Sequence, residues 1–498
     1  MLNFMSVKLE KTRVFLILKR ENRQENLQNL TFVILYDILC EDWQLKFTRK
    51  GDNMRDINET NTPTDNNQCN HESNHHDELN HEHHHEHHHE NYTVKHNKFA
   101  YGLVRFLSNV VSKFVFKKEI LRNEIKDKKG PFVVISNHAA ALDFVNLIGA
   151  TKKPMNFVIS NSFYKTLPAR AITQGLGLIP KQQFQTNLKD IHKMKAVIDN
   201  GNILVIYPSG LMSEDGTPTP MPIATYNFLK WLKADVYVAK NIGTYFSMPK
   251  WRSGGIRKGK TYLDIYKLFN KEELANADLC EIKKKTDEAL FFDAYDEQEK
   301  YLVEYKNGSN IEGLENILYI CPHCRKEFTV KTKNRNTIYC EACGFEEEAD
   351  KYQFLHKVSD VGEEIRHPSK WNNLIHKILR EKVDAGELSD FHSEVEIQMI
   401  PDGKKSFEKV GEGNMALTFD HFTLKAKLSG KDVDLSIPTA SFAALPFKPG
   451  KFIEIQHGDD IYRCYPTYGK VVIKFIDMVK IFYEIHTADC EEKHRIHN

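Results

Sequence analysis

The chain has 498 residues, of which 41% are hydrophobic and 11% aromatic, so we expect two to four domains with real cores. Its 69 lysines and arginines balance 68 aspartates and glutamates, and this near-neutral charge argues against a globally basic nucleic-acid binder; no nucleic-acid partner is expected. The N-terminal apolar runs at 14–18 and 31–39 are shorter than the ~20 residues that span a bilayer. We therefore predict neither a signal peptide nor a transmembrane helix.

The N-terminal region, 1–97, is predicted to be disordered and rich in histidine. Residues 54–97 offer almost nothing to bury, which is typical of disorder. Because Met54 opens this polar segment, we hypothesise that translation starts there and that 1–53 are an upstream extension; the intact mass of the native protein tests this. Positions 81–90 hold seven histidines and three glutamates, which indicates either a solvated linker or a weak zinc or nickel buffer.

The segment 101–118 is predicted to be an amphipathic helix. Apolar side chains recur at helical spacing at Leu103, Leu107, Val110, Val111 and Phe114, with basic residues at the edges. Packing on a core and lying on a membrane surface both explain this pattern.

Strand and helix patterns alternate from 131 onward. Strands are predicted at 132–136, 155–160, 177–180, 202–208 and 235–243, and helices at 141–150, 167–176, 187–201 and 226–234. Such alternation predicts βαβ units and an α/β domain with a mainly parallel central sheet over 98–305, its last part, 270–306, being helical and charged.

A histidine and an aspartate follow the first of these strands, in "VISNHAAALDF" (134–144). In one continuous helix, five residues rotate the side chains by about 140° and would separate them. His138 and Asp143 therefore meet only if His138 lies in the turn before the helix. A neutral imidazole held by a carboxylate through Nδ1 has Nε2 available as a general base. The alternative is a helix-capping histidine with a surface aspartate.

A metal site is predicted at 315–350, where two C-x-x-C pairs lie fifteen residues apart. Cys321, Cys324, Cys340 and Cys343 suit tetrahedral Zn²⁺ in a small zinc ribbon, and four sulfur ligands make that zinc structural. Nine cysteines with two such pairs favour a reducing compartment over a disulfide framework.

The C-terminal part, 385–490, is predicted to be a small antiparallel β domain closed by a helix at 468–486, after a short helix at 371–383. Its order of elements resembles a pleckstrin-homology-like domain. Such a domain binds lipid headgroups or a protein partner, and a purely structural module is the alternative.

The region 99–305 resembles the glycerolipid acyltransferases, which include the 1-acylglycerol-3-phosphate acyltransferases. Their N-H-x-x-x-x-D motif is matched by Asn137, His138 and Asp143. Their second motif resembles 175–184, with Lys181 at the basic position. Their third, F-P-E-G-T-R-S, resembles 206–216, where Pro208, Gly210 and Ser213 are kept, and 234–243 loosely matches the fourth.

The resemblance implies that His138, oriented by Asp143, deprotonates an acceptor hydroxyl that attacks the thioester of coenzyme A or an acyl carrier protein. Basic groups of the second and third motifs would hold the acceptor's phosphate. The implied substrate-binding residues are Asn137, Lys181, Pro208, Ser209 and Gly210.

The third motif departs from the family pattern. Ser209, Leu211 and Met212 stand where the family has Glu, Thr and Arg, so the guanidinium that grips phosphate in two places is absent there. The cations considered as substitutes are Lys240, Lys250, Arg252 and Arg257.

We therefore predict an O-acyltransferase (EC 2.3.1) that acts on a lysophospholipid-like acceptor. We expect it in the cytoplasm, peripheral on the inner face of the cell membrane and bound through 101–118. The alternative is a non-catalytic lipid- or protein-binding module on a degenerate acyltransferase fold. A zinc-ribbon nucleic-acid binder is disfavoured by the near-zero charge.

Overall fold

The computed structural model describes residues 96–167, 175–183, 187–388 and 390–496, with side chains to 487. The predicted disordered region, the proposed start at Met54 and the histidine tract lie outside the described residues, apart from His96 and Asn97. Asn97 caps the first helix by accepting from the N–H groups of Phe99 and Ala100. The predicted helix at 167–176 also lies mostly outside them. Within the described part of the chain, no helix is both long and apolar enough to cross a membrane.

The first sheet has seven strands. They are β1 (Glu119–Asn123), β2 (Phe132–Ser136), β3 (Met155–Ser160), β4 (Ile179–Lys181), β5 (Ile203–Ile206), β6 (Asp235–Ile242) and β7 (Tyr262–Phe269). Their spatial order is β1-β7-β6-β2-β5-β3-β4. Every neighbouring pair is parallel except β6–β7, which confirms the expected mainly parallel sheet. β1 and β7 were not predicted from the sequence patterns.

The helices around this sheet account for the apolar strands. They are α1 (Lys98–Phe114), α2 (Asp143–Leu147), α3 (Asn161–Thr166), α4 (Leu188–Asp199), α5 (Ala224–Leu232), α6 (Thr244–Ser247), α7 (Lys271–Asn276), α8 (Leu279–Leu290) and α9 (Ala294–Tyr301). Every residue of β2 and β5 is buried. Central parallel strands read as continuous apolar runs because both faces of the sheet are covered.

The first helix, α1, has two apolar faces. Tyr101, Val104 and Val111 are buried against the domain. A second apolar row lies in solvent, comprising Phe99, Leu103, Phe106 and Phe114 at 81%, 48%, 63% and 47% exposure. The predicted apolar stripe is therefore divided between the faces, since Leu103 and Phe114 are exposed whereas Val111 is buried.

A four-stranded antiparallel sheet carries the cysteines. Its strands are β8 (Val330–Lys333), β9 (Thr337–Cys340), β10 (Glu346–Ala349) and β11 (Leu355–Lys357), in the order β11-β10-β9-β8.

The C-terminal sheet has seven antiparallel strands. They are β12 (Asp390–Met399), β13 (Glu408–Thr418), β14 (His421–Leu428), β15 (Lys431–Pro438), β16 (Phe447–Lys448), β17 (Phe452–His457) and β18 (Asp460–Pro466), in the order β15-β14-β13-β12-β18-β17-β16. Two helices accompany it, α10 (Pro368–Asp384) and α11 (Val471–Ile496). One hydrophobic core joins this unit to the cysteine-bearing sheet, for example through Ile338, Trp371 and Val472.

Buried polar contacts attach the C-terminal unit to the first domain. Lys480 of α11 pairs with Glu214, in the segment that resembles the third motif, and both side chains are about nine-tenths buried. Beside them, Asn372 of α10 donates to Asp215 Oδ2 at 3.0 Å.

Candidate active site

The histidine–aspartate motif occupies the turn between β2 and α2. β2 ends at Ser136, His138 lies in the turn, and Asp143 is the first residue of α2. That helix is shorter than the predicted 141–150. The backbone of the turn is fixed from outside, because the Ser213 N–H donates to the His138 carbonyl at 2.8 Å. The His-before-helix placement required by the five-residue spacing is thus the one observed.

The two side chains are in contact. His138 Nδ1 lies 3.1 Å from Asp143 Oδ2, and the same oxygen accepts the Ala140 N–H at 2.9 Å. Asp143 is fully buried, and a carboxylate acts only as an acceptor when ionised. The His138 tautomer that bonds such a carboxylate carries its proton on Nδ1 and leaves Nε2 able to accept one. The imidazole also stacks on Tyr207, with ring centroids 4.4 Å apart. Burial, with a contribution from Asp143, raises the pKa of Tyr207 well above its ordinary value, so this phenol stays neutral.

Asn137 has a structural role at this turn. Its side-chain amide donates to the Asn241 carbonyl at 2.9 Å and accepts the Asn241 N–H at 2.8 Å. These bonds tie the end of β2 to the end of β6. The residue borders a cleft beside His138, but its amide is already used by the backbone of β6.

A mainly apolar cavity of about 410 Å³ begins at His138. Its size lies in the range that holds a drug-sized ligand. One part is walled by α1 and the sheet, through Val104, Phe157 and Leu178. Four charged residues also line it, Lys181 and Lys250 from the first domain and Glu454 and Arg463 from the C-terminal unit, which contributes Phe447 and Phe452 as well; we call the region of these charged residues the polar part of the cavity.

A second cleft, of about 300 Å³, opens on another side of the same histidine. His138, Ser209 and Phe291 are among its lining residues. His138 therefore stands between two spaces, one mainly apolar and one bordered by the turn at 208–209.

The other predicted substrate-binding residues lie around these two spaces. Lys181 and Gly210 line the apolar cavity, whereas Pro208 and Ser209 line the second cleft. The Lys181 ammonium donates to the Gln182 carbonyl at 2.9 Å, and burial lowers the pKa of Lys181. The Ser209 hydroxyl donates to the Leu211 carbonyl at 3.0 Å.

Of the four cations considered as substitutes for the missing arginine, Lys250 is the one that lines the cavity at His138. Arg257 instead bonds Gln353 and the Asn310 carbonyl, and Arg252 donates to the Gly255 carbonyl. Burial lowers the pKa of Lys250 to about 7.

Sequence reasoning missed three residues of the site: Tyr207, Glu454 and Arg463. Tyr207 directly precedes Pro208 of the third motif, so its position was a usable signal. Glu454 and Arg463 lie on β17 and β18, more than 230 residues beyond the turn at 206–216. Nothing in their local sequence indicates that they reach the cavity.

The four cysteines predicted to bind metal converge. The Cys321 and Cys343 sulfurs are 3.6 Å apart, the Cys324 and Cys340 sulfurs 3.7 Å, and all four lie within 4.8 Å of one another. Sulfurs placed 2.3 Å from a central Zn²⁺ at tetrahedral corners are about 3.8 Å apart. The donor set and the spacing therefore fit a tetrahedral four-thiolate metal site.

Part of the first domain is similar to a known protein family. Residues 114–245 match the family model described as Acyltransferase. This range includes His138, Asp143 and the turn at 206–216, so the match supports acyltransferase activity. A solved structure, the 1-acyl-sn-glycerophosphate (LPA) acyltransferase PlsC from Thermotoga maritima, is similar over 41% of this chain and 79% of its own length, with 15% identity and a TM-score of 0.33. A search of curated proteins found no match.

Proposed function

We propose that this protein, whose residues 114–245 match an acyltransferase family, moves a fatty acyl group from a thioester to the hydroxyl of a lysophospholipid-like acceptor. The observation that carries the proposal is the 3.1 Å contact between His138 Nδ1 and the buried Asp143 carboxylate. His138 lines both the mainly apolar cavity of about 410 Å³ and the second cleft, so this contact lies between the two spaces.

The proposed reaction uses His138 as a general base and then as an acid. Nε2 takes the proton of the acceptor hydroxyl as its oxygen attacks the thioester carbonyl carbon. The carbon–sulfur bond then breaks, and the imidazolium returns the proton to the leaving thiolate. Asp143 stays ionised throughout and stabilises the imidazolium, as the aspartate of a catalytic triad does. No covalent acyl-enzyme is needed.

The two spaces at His138 suggest an orientation for the substrates. The apolar part of the cavity, beside Val104 and Phe157, suits the fatty acyl chain. The second cleft, bordered by Ser209, suits the thiol-bearing arm of coenzyme A or a carrier protein. The acceptor then approaches from the polar part of the cavity, where Lys181 can meet its phosphate.

We further propose that the exposed row on α1 binds the membrane surface from which lipid substrates enter. Phe99 and Phe106 lie in solvent beside basic residues of the same helix, and the opposite face contributes Tyr101 and Val104 to the cavity. An apolar face flanked by lysine and arginine is typical of interfacial helices. The double variant F99S/F106S should lose binding to vesicles that contain phosphatidylglycerol, whereas L188S, which alters an equally exposed leucine on α4, should not. Equal co-sedimentation of the two variants would contradict the proposal.

We propose that the four cysteines hold a structural Zn²⁺. Thiolates in all four positions leave no open coordination site, so the metal would stabilise the fold and take no part in acyl transfer.

The strand order of the C-terminal sheet, four strands followed by three and a closing helix, supports the expected likeness to a pleckstrin-homology-like domain.

The test is acyl transfer from a radiolabelled acyl thioester to a panel of lysolipids. H138A should lose ~10²–10⁴-fold in rate because a general base is removed. The control is H356A. His356 makes a 3.1 Å contact with Asp350 in the region of the cysteine-bearing sheet, more than 200 residues from His138 in sequence.

Absence of activity on every acceptor, or equal rates for wild type and H138A, would refute the enzyme. It would favour the alternative, a lipid- or protein-binding module, which the altered residues Ser209, Leu211 and Met212 support.

A further inference from the structure

The C-terminal β unit forms part of the wall of the cavity that begins at His138. Phe447 of β16, Phe452 and Glu454 of β17, and Arg463 of β18 all line it. The attachment is buried: the Ser162 hydroxyl of α3 donates to Glu454 Oε2 at 2.9 Å. The acyltransferase-like domain alone therefore does not enclose this cavity.

The polar part of the cavity carries an excess of positive charge. Three cations line it, Lys181, Lys250 and Arg463, against one carboxylate, Glu454. That carboxylate lies 3.0 Å from Arg463 Nε and compensates that charge. Lys181 and Lys250 have no carboxylate partner among the residues that line the cavity, while Asp190 and Glu214 act on them from outside it. Lys250 has only 8% of its surface exposed. Buried charge is costly without a counter-charge, so this region is suited to an anion.

We propose that Lys250, on the acyltransferase-like domain, and Arg463, on the C-terminal β unit, together bind the phosphomonoester headgroup of the acceptor lipid. A phosphomonoester carries a charge of about −1.5 to −2 at neutral pH, which is opposite in sign to the cations that line the cavity. This inference rests on the proposed acyl transfer, because only that activity makes the bound phosphomonoester lipid a substrate.

Both cations are held by aromatic rings from the β unit. The Lys250 ammonium lies 3.5 Å from the centroid of Phe447, and the Arg463 guanidinium lies 3.6 Å and 4.6 Å from Phe407 and Phe452. Stacking fixes the plane of a guanidinium, and a planar fork is the group that matches phosphate oxygens in two places. Arg463 of the β unit would thus take the place of the arginine that the family has at the position of Met212.

The β unit also positions the turn that follows Lys181, the last residue of β4. Gln182 Nε2 donates to the Gly458 carbonyl and to Asp459 Oδ1 at 3.2 and 3.1 Å, and the Gln183 N–H donates to Gln456 Oε1 at 3.3 Å. The hairpin between β17 and β18 therefore sets the location of the second-motif turn relative to the cavity.

The experiment measures binding of dodecyl phosphate to the full chain by isothermal titration calorimetry below the micelle concentration. K250M and R463Q should each weaken it about tenfold or more, because each removes a charge-assisted contact. Dodecylphosphocholine, which has the same chain but a zwitterionic headgroup, should change less than twofold. Inorganic phosphate should bind far more weakly than dodecyl phosphate, because it cannot use the apolar part.

R366Q is the matched control, since Arg366 also pairs with a carboxylate and stacks on a phenylalanine, but outside the cavity. R463K keeps the charge without the fork and serves if R463Q does not fold. Wild-type affinity in K250M and R463K, equal losses for both dodecyl ligands, or inorganic phosphate binding as tightly as dodecyl phosphate would each overturn the proposal.

H138A separates this inference from the catalytic one. It should bind dodecyl phosphate as wild type does, although its rate of acyl transfer is ~10²–10⁴-fold lower. An enzyme that is active but does not bind dodecyl phosphate would refute the two-domain headgroup site alone. A protein that binds it but has no transferase activity would refute the catalytic proposal alone.

Discussion

Replacing Asp143 with asparagine should lower kcat and leave KM nearly unchanged. One oxygen of Asp143 contacts both His138 Nδ1 and the Ala140 N–H, yet the residue lines neither of the two spaces beside the histidine. Substrate binding should therefore be unaffected, whereas the imidazolium formed during the reaction loses its negative partner.

The size of the effect follows from that contact. A hydrogen bond to a charged group contributes about 1.5–3 kcal/mol, which corresponds to roughly 10- to 150-fold in rate. If the amide turns its NH₂ toward Nδ1, the histidine is forced into the other tautomer and Nε2 can no longer accept a proton. The loss then approaches that of removing the base, ~10²–10⁴-fold.

The variant also changes stability. Asp143 Oδ1 is buried with no hydrogen-bond partner among the described residues, so an NH₂ group in its place lacks an acceptor. A buried donor without a partner costs about 1–3 kcal/mol, and thermal unfolding of D143N should show a lower Tm.

Steady-state kinetics on the best lysolipid acceptor, with Tm measured in parallel, tests this reasoning. The matched control is D350N, because Asp350 makes a histidine contact of the same 3.1 Å length in the cysteine-bearing module. A kcat for D143N within twofold of wild type, a change in KM alone, or an equal loss of kcat in D350N would refute it.

Three further predictions concern charge and metal. Burial lowers the pKa of Lys250 to about 7, with Lys480 adding to this and Glu214 opposing it, while Lys448 lies close by. Lys250 therefore loses its proton as the pH rises through 7, and KM for an anionic acceptor should increase between pH 6 and 8.5. In K250M that increase should be smaller, because only Lys448 then titrates in this range beside the site; a profile identical to that of wild type would exclude Lys250 from the anion site. C343S should contain less than one equivalent of zinc by metal analysis and should have a lower Tm than wild type. Added chelator should lower the Tm of wild type but not that of C343S. A full equivalent of zinc in C343S would contradict a four-thiolate site. K480M should lower the free energy of unfolding, measured with denaturant, by ~3–5 kcal/mol, because it leaves the buried Glu214 carboxylate without its counter-charge. The double variant K480M/E214L should recover most of this loss. Equal stability of K480M and wild type would show that the pair is not buried in solution.

The sequence alone predicted central strands of the first domain correctly. The strands predicted at 132–136 and 155–160 have the observed bounds, because a central parallel strand is apolar on both faces and leaves an uninterrupted signal. The spacing of His138 and Asp143 restricted them to a strand-to-helix turn. The spacing of the cysteine pairs likewise brought four sulfurs together, because short loops between ligands leave the backbone little freedom.

Only the tertiary structure decided what completes the site. β1 and β7 pair across 142 residues, through Glu119 and Tyr262 at one end of the register, and sequence patterns do not encode such distant pairings. The division of α1 into a buried and an exposed apolar face depends on how the helix is rotated against the sheet. Lys250 was one of four candidate cations in the sequence, and the structure singles it out because it lines the cavity at His138. Arg463 became a candidate only because the packing of the C-terminal β unit places it at the same cavity, more than 200 residues from Lys250 in sequence.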